Sequence, residues 1–407
     1  MSDRISAKLD LATLRSIPLG IWTLGFVSLL MDVSSEMIHA LLPVYLVTVL
    51  GTSTLTVGII EGIAEASASI TKAFSGALSD WLGKRKLLAA LGYGLSAFAK
   101  PLFPLAPGVD WLIAARCIDR IGKGIRGAPR DALIADISPR ELLGASFGLR
   151  QSLDTVGAFV GPLLAILLML LLANDIKSVF WFAVIPAFLA MFLIIYGVKE
   201  PDRPAEMRAV RFPLHAKELR RLGLPYWWVI GIAITFMLAR FSEAFLILRA
   251  QSAGLSMALV PAVFVLMNVF YALAAYPAGV LSDNGDRIKM LIIGLTLLLT
   301  ADLVLALSPG LIGVAIGVML WGLHMGFSQG LLSALVADTA PPELRGTAFG
   351  MFNLVTGVAL LAASIIAGAM WDALGPKATF LTGAAFTVLA LVTLMLSRGR
   401  LSKYRAT

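Results

Sequence analysis

A single cysteine, Cys117, is all the thiol in this sequence, which excludes an internal disulfide and a cysteine metal cage. Charge is scarce too. Asp, Glu, Lys and Arg make up 14% of the 407 residues, where a soluble domain carries about 25%. Neither a Walker loop nor an HExxH motif occurs, so ATP-driven transport within this chain is not expected. Apolar residues fill the gap: 58% of the chain is hydrophobic and the mean hydropathy is +0.87. Long apolar runs recur from end to end, so the expected solvent is a bilayer. Lipid cannot satisfy open backbone groups, and the runs are too long for barrel strands, so the expected fold class is an all-α membrane protein.

Twelve spans are predicted, at roughly 18–50, 54–79, 86–106, 109–136, 142–173, 176–198, 224–250, 256–282, 287–307, 310–337, 344–370 and 376–396. The formal net charge of +8 would suggest nucleic acid in a soluble protein, but here position explains it. Lys84-Arg85-Lys86, Arg140, the segment 199–223, Arg287 with Lys289, Arg345 and the C-terminal tail all fall on alternate loops. The opposite loops (GTST, PGVD, ANDIKS, QSAG, SPG, WDALGPK) are nearly bare. The positive-inside rule therefore predicts cytoplasmic N and C termini, as an even number of spans also requires. The first sixteen residues lack the features of a signal peptide and read as a retained tail. The expected location is the cytoplasmic (inner) membrane, multi-pass, with no nucleic-acid partner.

The chain repeats itself. ALIADISPRELLGASFG at 132–148 and ALVADTAPPELRGTAFG at 334–350 agree at ten of seventeen positions, 202 residues apart. GALSDWLGKRK at 76–86 pairs with GVLSDNGDRIK at 279–289, with Asp80 and Asp283 lying 203 apart. A duplicated six-span unit follows, its copies related by an axis along the membrane normal. The expected parts are an N-terminal bundle at 1–198, a cytoplasmic linker at 199–223 and a C-terminal bundle at 224–407.

These motifs resemble the major facilitator superfamily, in particular its bacterial drug and metabolite antiporter-like branch. Gly76, Asp80, Gly83, Lys84 and Arg85 are similar to its loop 2–3 signature, and Asp283 with Arg287 to the second-half equivalent. Arg116, Gly122 and Gly124 resemble its span-four pattern. GAFVGP, with Gly157, Gly161 and Pro162, resembles the span-five antiporter motif, although Ala165 and Ile166 stand where further glycines normally follow. The resemblance implies two pseudo-symmetric six-helix bundles around a central cavity that opens alternately to either side. It also implies a conformational latch of Gly76, Asp80, Gly83, Lys84, Arg85, Arg126, Arg130, Asp131, Asp283 and Arg287.

The charges can be read independently. At about 100° per residue, Arg116, Asp119, Arg120, Lys123, Arg126, Arg130 and Asp131 share an arc of roughly 140° on span four. Each charge facing lipid near the bilayer centre costs about 2.5–3.5 kcal/mol, so this face must meet water or counter-charges inside the protein. Asp32, Glu36 and His39 share a face of span one; Glu61, Glu65 and Lys72 share a stripe of span two; span seven carries Arg240 and Glu243.

Asp32, Glu36, Glu61 and Glu65 are the proton-coupling candidates, because clustered acids can load a proton on one side and release it on the other. Arg116, Arg120, Lys123, Arg240, Glu243 and His324 are the substrate-binding candidates, suited to an anionic or zwitterionic ligand. Interhelical salt bridging is the competing role for all these ions. Asn268, Tyr271, Trp321, Gln329 and Asn353 are further polar groups that could line a pocket for an amphiphilic ligand. His39 and His324 read as neutral, hydrogen-bonded side chains; the hard ligands Asp32, Glu36 and His39 do not suffice to predict a metal.

GKGIRG at 122–127 and GFSQG at 326–330 match G-x-G-x-x-G and G-x-S-x-G, but each lies in a predicted spanning helix, without the strand either chemistry needs. No catalytic residue, cofactor or metal is expected, and the chain is not expected to be an enzyme. The expected partners are a small-molecule substrate, protons and the lipid bilayer, and the chain is expected to act as a monomer. The function expected is secondary active transport by alternating access: proton-coupled export of a small organic drug or metabolite. The alternative is uptake or exchange of an organic anion, and a remote one is a membrane sensor or lipid-handling protein.

Overall fold

The computed structural model describes residues 16–200, 219–284, 287–328, 331–341 and 344–403. Every regular element among them is helical. Those of nine or more residues are, in chain order, α1 Leu19–His39, α2 Thr54–Leu82, α3 Arg85–Ala99, α4 Val109–Ile137, α5 Leu143–Leu171, α6 Ile176–Gly197 and α7 Leu224–Ala239. They continue with α8 Ala244–Ser252, α9 Ala262–Asn284, α10 Arg287–Leu307, α11 Leu311–Ser328, α12 Leu331–Thr339, α13 Arg345–Leu374 and α14 Pro376–Lys403.

Local chemistry sets several ends. The Ser53 hydroxyl accepts from the Thr56 amide at 3.1 Å and caps α2 at its start. Gly83 ends the same helix at φ 62°, a left-handed conformation that favours glycine. The Asp175 carboxylate caps α6 by accepting from the Lys177 amide.

Ten segments are long and apolar enough to cross a membrane. The two predicted spans outside that set, α2 and α4, have 29 residues each, about 43 Å of helix, and fall short in apolar character rather than in length. Large apolar side chains such as Leu170, Ile185, Phe192, Leu389 and Leu396 stand exposed on the outer surface, as lipid-facing residues must. Trp81, Trp111 and Trp181 are exposed near helix ends, where indoles favour the membrane interface.

One interruption of an expected span falls at the cavity. Span seven is α7 plus α8, interrupted at Arg240–Glu243, where Arg240 has φ −107° and ψ 78°. Irregular backbone at membrane depth is tolerated where protein or a water-filled cavity satisfies it, and both apply here. Span ten is covered by α11 and α12, and residues 329–330, Gln329 among them, lie outside the described residues.

The helices form two sets. In one, α1 packs on α5 and α6, and α4 on α2 and α3; in the other, α11 packs on α9 and α10, and α14 on α7 and α10. The sets meet mainly through α2 against α13, and also through α5 against α9. Small residues permit the first contact: a Cβ on Gly58 would lie 2.2 Å from the Ser364 carbonyl oxygen, and one on Gly368 would lie 2.6 Å from that of Thr54.

The apolar core shows which end is closed. One cluster joins both sets at the end carrying the bare loops, with Leu42, Phe103 and Phe180 from the first and Phe241, Phe245, Phe264 and Phe380 from the second. At the basic-loop end the core splits in two. Ile21, Tyr93 and Leu133 belong to one cluster, and Tyr226, Phe236 and Leu335 to the other. The space between those two clusters is the cavity.

Candidate functional site

The charged face of α4 turns inward, as its cost in lipid demands. Close crossings bring its neighbours near. A Cβ on Gly122 would lie 2.6 Å from Ser96 Oγ on α3, and one on Gly124 would lie 2.6 Å from the Ala68 carbonyl oxygen on α2. The glycines of GKGIRG therefore serve helix packing, with no strand beside them for a dinucleotide fold.

Partners then follow along α4. Arg116 donates to Glu61 at 2.7 Å, and both are 1% exposed. His39 lies between two acids, with Nε2 3.4 Å from Glu61 and Nδ1 3.5 Å from Glu36. Asp119 receives Lys100 at 2.9 Å, a fully buried pair, and Lys100 also donates to Ser35. Arg120 meets Glu65 at 3.0 Å. Arg126 donates to Ser96 and sits 4.9 Å over the Tyr93 ring. Arg130 donates to Ser28 and pairs with Asp131, while Arg150 of α5 reaches Asp131 and pairs more closely with Asp154.

A cavity of about 610 Å³ lies between the two sets, within the range of ligand sites. Its lining runs from His39 and Phe264, whose rings are 4.9 Å apart, to Lys72, Arg130 and Arg150 toward the basic-loop end. Seven Lys and Arg side chains and six Asp and Glu side chains line it. Ion pairing leaves Asp32, Lys72, Lys123 and Arg126 over, and Arg126 is engaged by Ser96 and Tyr93. Asp32, Lys72 and Lys123 line the cavity, and no hydrogen bond or ion pair joins their side chains to any described residue. They still act on one another: Lys123 lies within electrostatic reach of both Asp32 and Lys72.

The second set contributes differently. Arg240 pairs with Glu243 at 3.0 Å within the broken segment, and both line the cavity with Asn268 and Tyr271. The rest of that wall is mostly apolar, formed by Met237, Phe241, Phe264, Met267, Met325 and Leu360.

The structure thus brings together Asp32, Glu36, Glu65, Arg120, Lys123, Arg240 and Glu243 on one cavity. It places Glu61 and Arg116 behind that wall, paired with each other. His324 does not reach the cavity. It is fully buried, with Nδ1 2.8 Å from the Gly294 carbonyl oxygen and its ring against Phe236 and Trp321. Trp321 is likewise core, and Asn353 is not among the lining residues.

Of the latch residues, Arg126, Arg130 and Asp131 line the cavity. Gly76 packs near Ala128, Gly83 ends α2, and Lys84 is the residue before α3. Arg85 pairs with Asp136 at 2.9 Å and donates to the Ala132 carbonyl oxygen; Arg287 pairs with Asp338. Both pairs repeat at an offset of 202. The side chains of Asp80 and Asp283 lie outside the described ones.

Gly157 and Gly161 let α5 lie directly on α1. A Cβ on Gly157 would fall 2.7 Å from the Leu29 carbonyl oxygen and 3.0 Å from Asp32 Cβ, and one on Gly161 would fall 2.8 Å from Glu36 Cβ. Pro162 is buried in the same helix. Sequence reasoning missed Lys100, Arg150 and Asp154. Lys100 carried a usable signal, a lone charge in an apolar run.

Residues 24–270 and 244–405 match the family model of the Major Facilitator Superfamily. The chain is 33% identical over 388 residues to an uncharacterised MFS-type transporter of Methanocaldococcus jannaschii, covering 94% of this chain and 95% of that one. It is 27% identical over 350 residues to the class H tetracycline resistance protein of Pasteurella multocida, covering 78% and 80%. Among solved structures, a POT family transporter in complex with a thioalcohol-conjugated peptide superposes with TM-score 0.77 at 13% identity, covering 96% and 99%.

Proposed function

The chain belongs to the Major Facilitator Superfamily, and on that footing we propose that it is a proton-coupled secondary transporter that moves a small organic compound by alternating access. One observation carries this reading: a charged cavity between two helix sets that share an apolar core at one end only. In this reading α2 and α4 also cross the membrane, giving twelve spans, and residues 1–198 and 224–407 are the two rocking bodies. The basic loops mark the cytoplasmic side of the inner membrane. The arrangement described is then inward-open.

Asp32 is the proton carrier in this reading. Glu61, Glu65 and Glu36 each have a basic group within 4 Å, whereas Asp32 faces the cavity without one. The test is the purified chain in liposomes loaded with a pH-sensitive dye. Solute-driven proton flux is expected, and it is expected to vanish in Asp32→Asn. Solute movement that ignores an imposed pH gradient would remove the coupling claim. Absence of any solute movement would favour the sensor or lipid-handling reading.

Two directions compete. Export draws on Gly157, Gly161 and Pro162 and on the resistance protein among the relatives. The packing role of those glycines, however, suits either direction. Uptake or exchange of an organic anion is supported by the unpaired Lys72 and Lys123. Inside-out against right-side-out vesicles separate the two.

A further inference from the structure

The cavity has two unlike walls, and the internal duplication shows how they differ. Between the Arg85/Arg287 and Asp136/Asp338 positions the two copies run at an offset of 202, which aligns Lys123 with Met325 and Arg120 with Gly322. Just before loop 2–3 the offset is 203, which aligns Lys72 with Ala275. At each of these positions one copy carries a cation and the other carries none. Lys123 and Met325 both line the cavity, from opposite sets. The first wall thus offers two cations, Lys72 and Lys123, whose side chains make no ion pair or hydrogen bond with a described residue. The second offers thioethers and aromatic faces, with Arg240 already engaged by Glu243.

We propose that the cavity binds an amphiphilic organic anion, an aromatic monocarboxylate, with its carboxylate between Lys72 and Lys123 and its ring against the facing apolar wall that carries Met325. This rests on the transport reading and adds the substrate class to it. The volume of about 610 Å³ accommodates a bicyclic acid with its hydration. Lysine is a point charge that binds an oxyanion without demanding one geometry, and methionine packs adaptably on ring edges. The third unpaired charge fixes the sign of the coupling. Asp32 faces Lys123 and Arg126 from α4, Asp154 from α5 and Glu36 on its own helix. With Asp32 ionised, the seven Lys and Arg and six Asp and Glu side chains that line the cavity sum to one positive charge; with Asp32 neutral, they sum to two. The carboxylate is therefore held more tightly once Asp32 is neutral, so anion and proton load together.

The test is titration of the full detergent-solubilised chain with 2-naphthoate, with 2-naphthylmethylammonium as the cation of matching shape and inorganic phosphate as the anion without a ring. Expected results are saturable binding of 2-naphthoate, at least tenfold weaker binding of the other two probes, and a tenfold or greater loss in Lys123→Met and in Lys72→Ala. Lys123→Arg should retain binding, which separates loss of charge from misfolding. Asp32→Asn should bind 2-naphthoate more tightly, an effect in the opposite direction that a merely structural role would not produce. Preference for the ammonium probe, equal affinity for phosphate and naphthoate, or no naphthoate binding each overturns the proposal. These readouts need no transport cycle. Binding without solute-driven proton flux in liposomes defeats the transport reading alone, and such flux with a different solute but no naphthoate binding defeats the substrate class alone.

Discussion

The closed end of the molecule is held by a contact that must break if the transporter is to open there. The Asp372 carboxylate, near the end of α13, accepts from the Thr54 amide at 3.0 Å, the Leu55 amide at 2.9 Å and the Thr54 hydroxyl at 2.5 Å. It thus caps the start of α2 from across the boundary between the two helix sets. Hydrogen bonds to a charged group contribute about 1.5–3 kcal/mol each when protected, and an anion at a helix N-terminus adds about 0.3–1 kcal/mol. Asp372 is solvent-exposed, so the low end applies and water recovers part of the loss. Removing the carboxylate in Asp372→Ala should cost the closed end about 2 kcal/mol, and Asp372→Asn about 1 kcal/mol, since one acceptor oxygen remains. At about 1.4 kcal/mol per factor of ten, Asp372→Ala shifts the balance toward opening of that end roughly 30-fold. The assay is alkylation of a cysteine placed at Asn268, in the cavity wall, in a Cys117→Ser background and with a membrane-impermeant maleimide. Labelling from the bare-loop side should be slow in the parent and faster in the order Asp372→Asn, then Asp372→Ala. An unchanged rate from that side in a folded Asp372→Ala protein would refute the reasoning.

Other substitutions test the packing around the charges. Gly157→Ala forces a methyl group against the Leu29 carbonyl oxygen and Asp32 Cβ, so it should destabilise by about 1–3 kcal/mol and slow transport, as read by thermal unfolding and proton flux. Arg116→Leu leaves Glu61 buried with only His39 beside it and should cost about 3–5 kcal/mol, whereas the double variant Arg116→Leu, Glu61→Leu should recover most of that. Thermal melts of all four members of that cycle decide it, and equal losses in the single and double variants would count against a self-contained pair. Lys100→Met should likewise be destabilising, because it strands Asp119 in the interior.

The all-helical membrane fold was legible because apolar runs and loop charges report directly on the solvent. The backbone break in span seven was less so. Nothing in the run of apolar residues around Arg240 and Glu243 distinguishes a continuous helix from one opened to let both side chains reach a cavity. The inward face of α4 was legible for an energetic reason: that many ions cannot face lipid. Which acid meets which cation was not, since helix periodicity gives a face but not the rotation of its neighbour. The pairs Arg116 with Glu61 and Arg120 with Glu65 needed the crossing of α2 over α4, which depends on close packing at Gly124. Lys100, which the sequence reading missed, and Asp302 are lone charges in apolar runs. They occupy equivalent positions at the offset of 202, yet Lys100 finds the counter-charge Asp119, while the buried Asp302 forms no ion pair with a described residue.

That divergence bears on how the two copies divide the work. The copies keep the Arg85–Asp136 and Arg287–Asp338 pairs at the basic-loop end, where each set must hold its own helices together. At cavity depth they part company. The first copy has a continuous series of ions from Lys100 to Arg150, and the second has Met325, Gly322 and Phe241 beside one self-paired Arg240. A symmetric charged chamber would present cations from both sides, and the two bodies would repel as the cavity closed. With the ions that lack an opposite partner confined to one body, closure brings charge against a mostly apolar wall, and what must be matched is the residual positive charge of the lining. A bound carboxylate matches it when Asp32 is ionised and leaves one positive charge when Asp32 is neutral. Closure at the basic-loop end should therefore depend on both the anion and the state of Asp32. Distance measurements across that end, with and without 2-naphthoate in the parent and in Asp32→Asn, should show the ligand closing it, and by different amounts in the two proteins. Identical closure in both would mean that the charge on Asp32 plays no part in the movement.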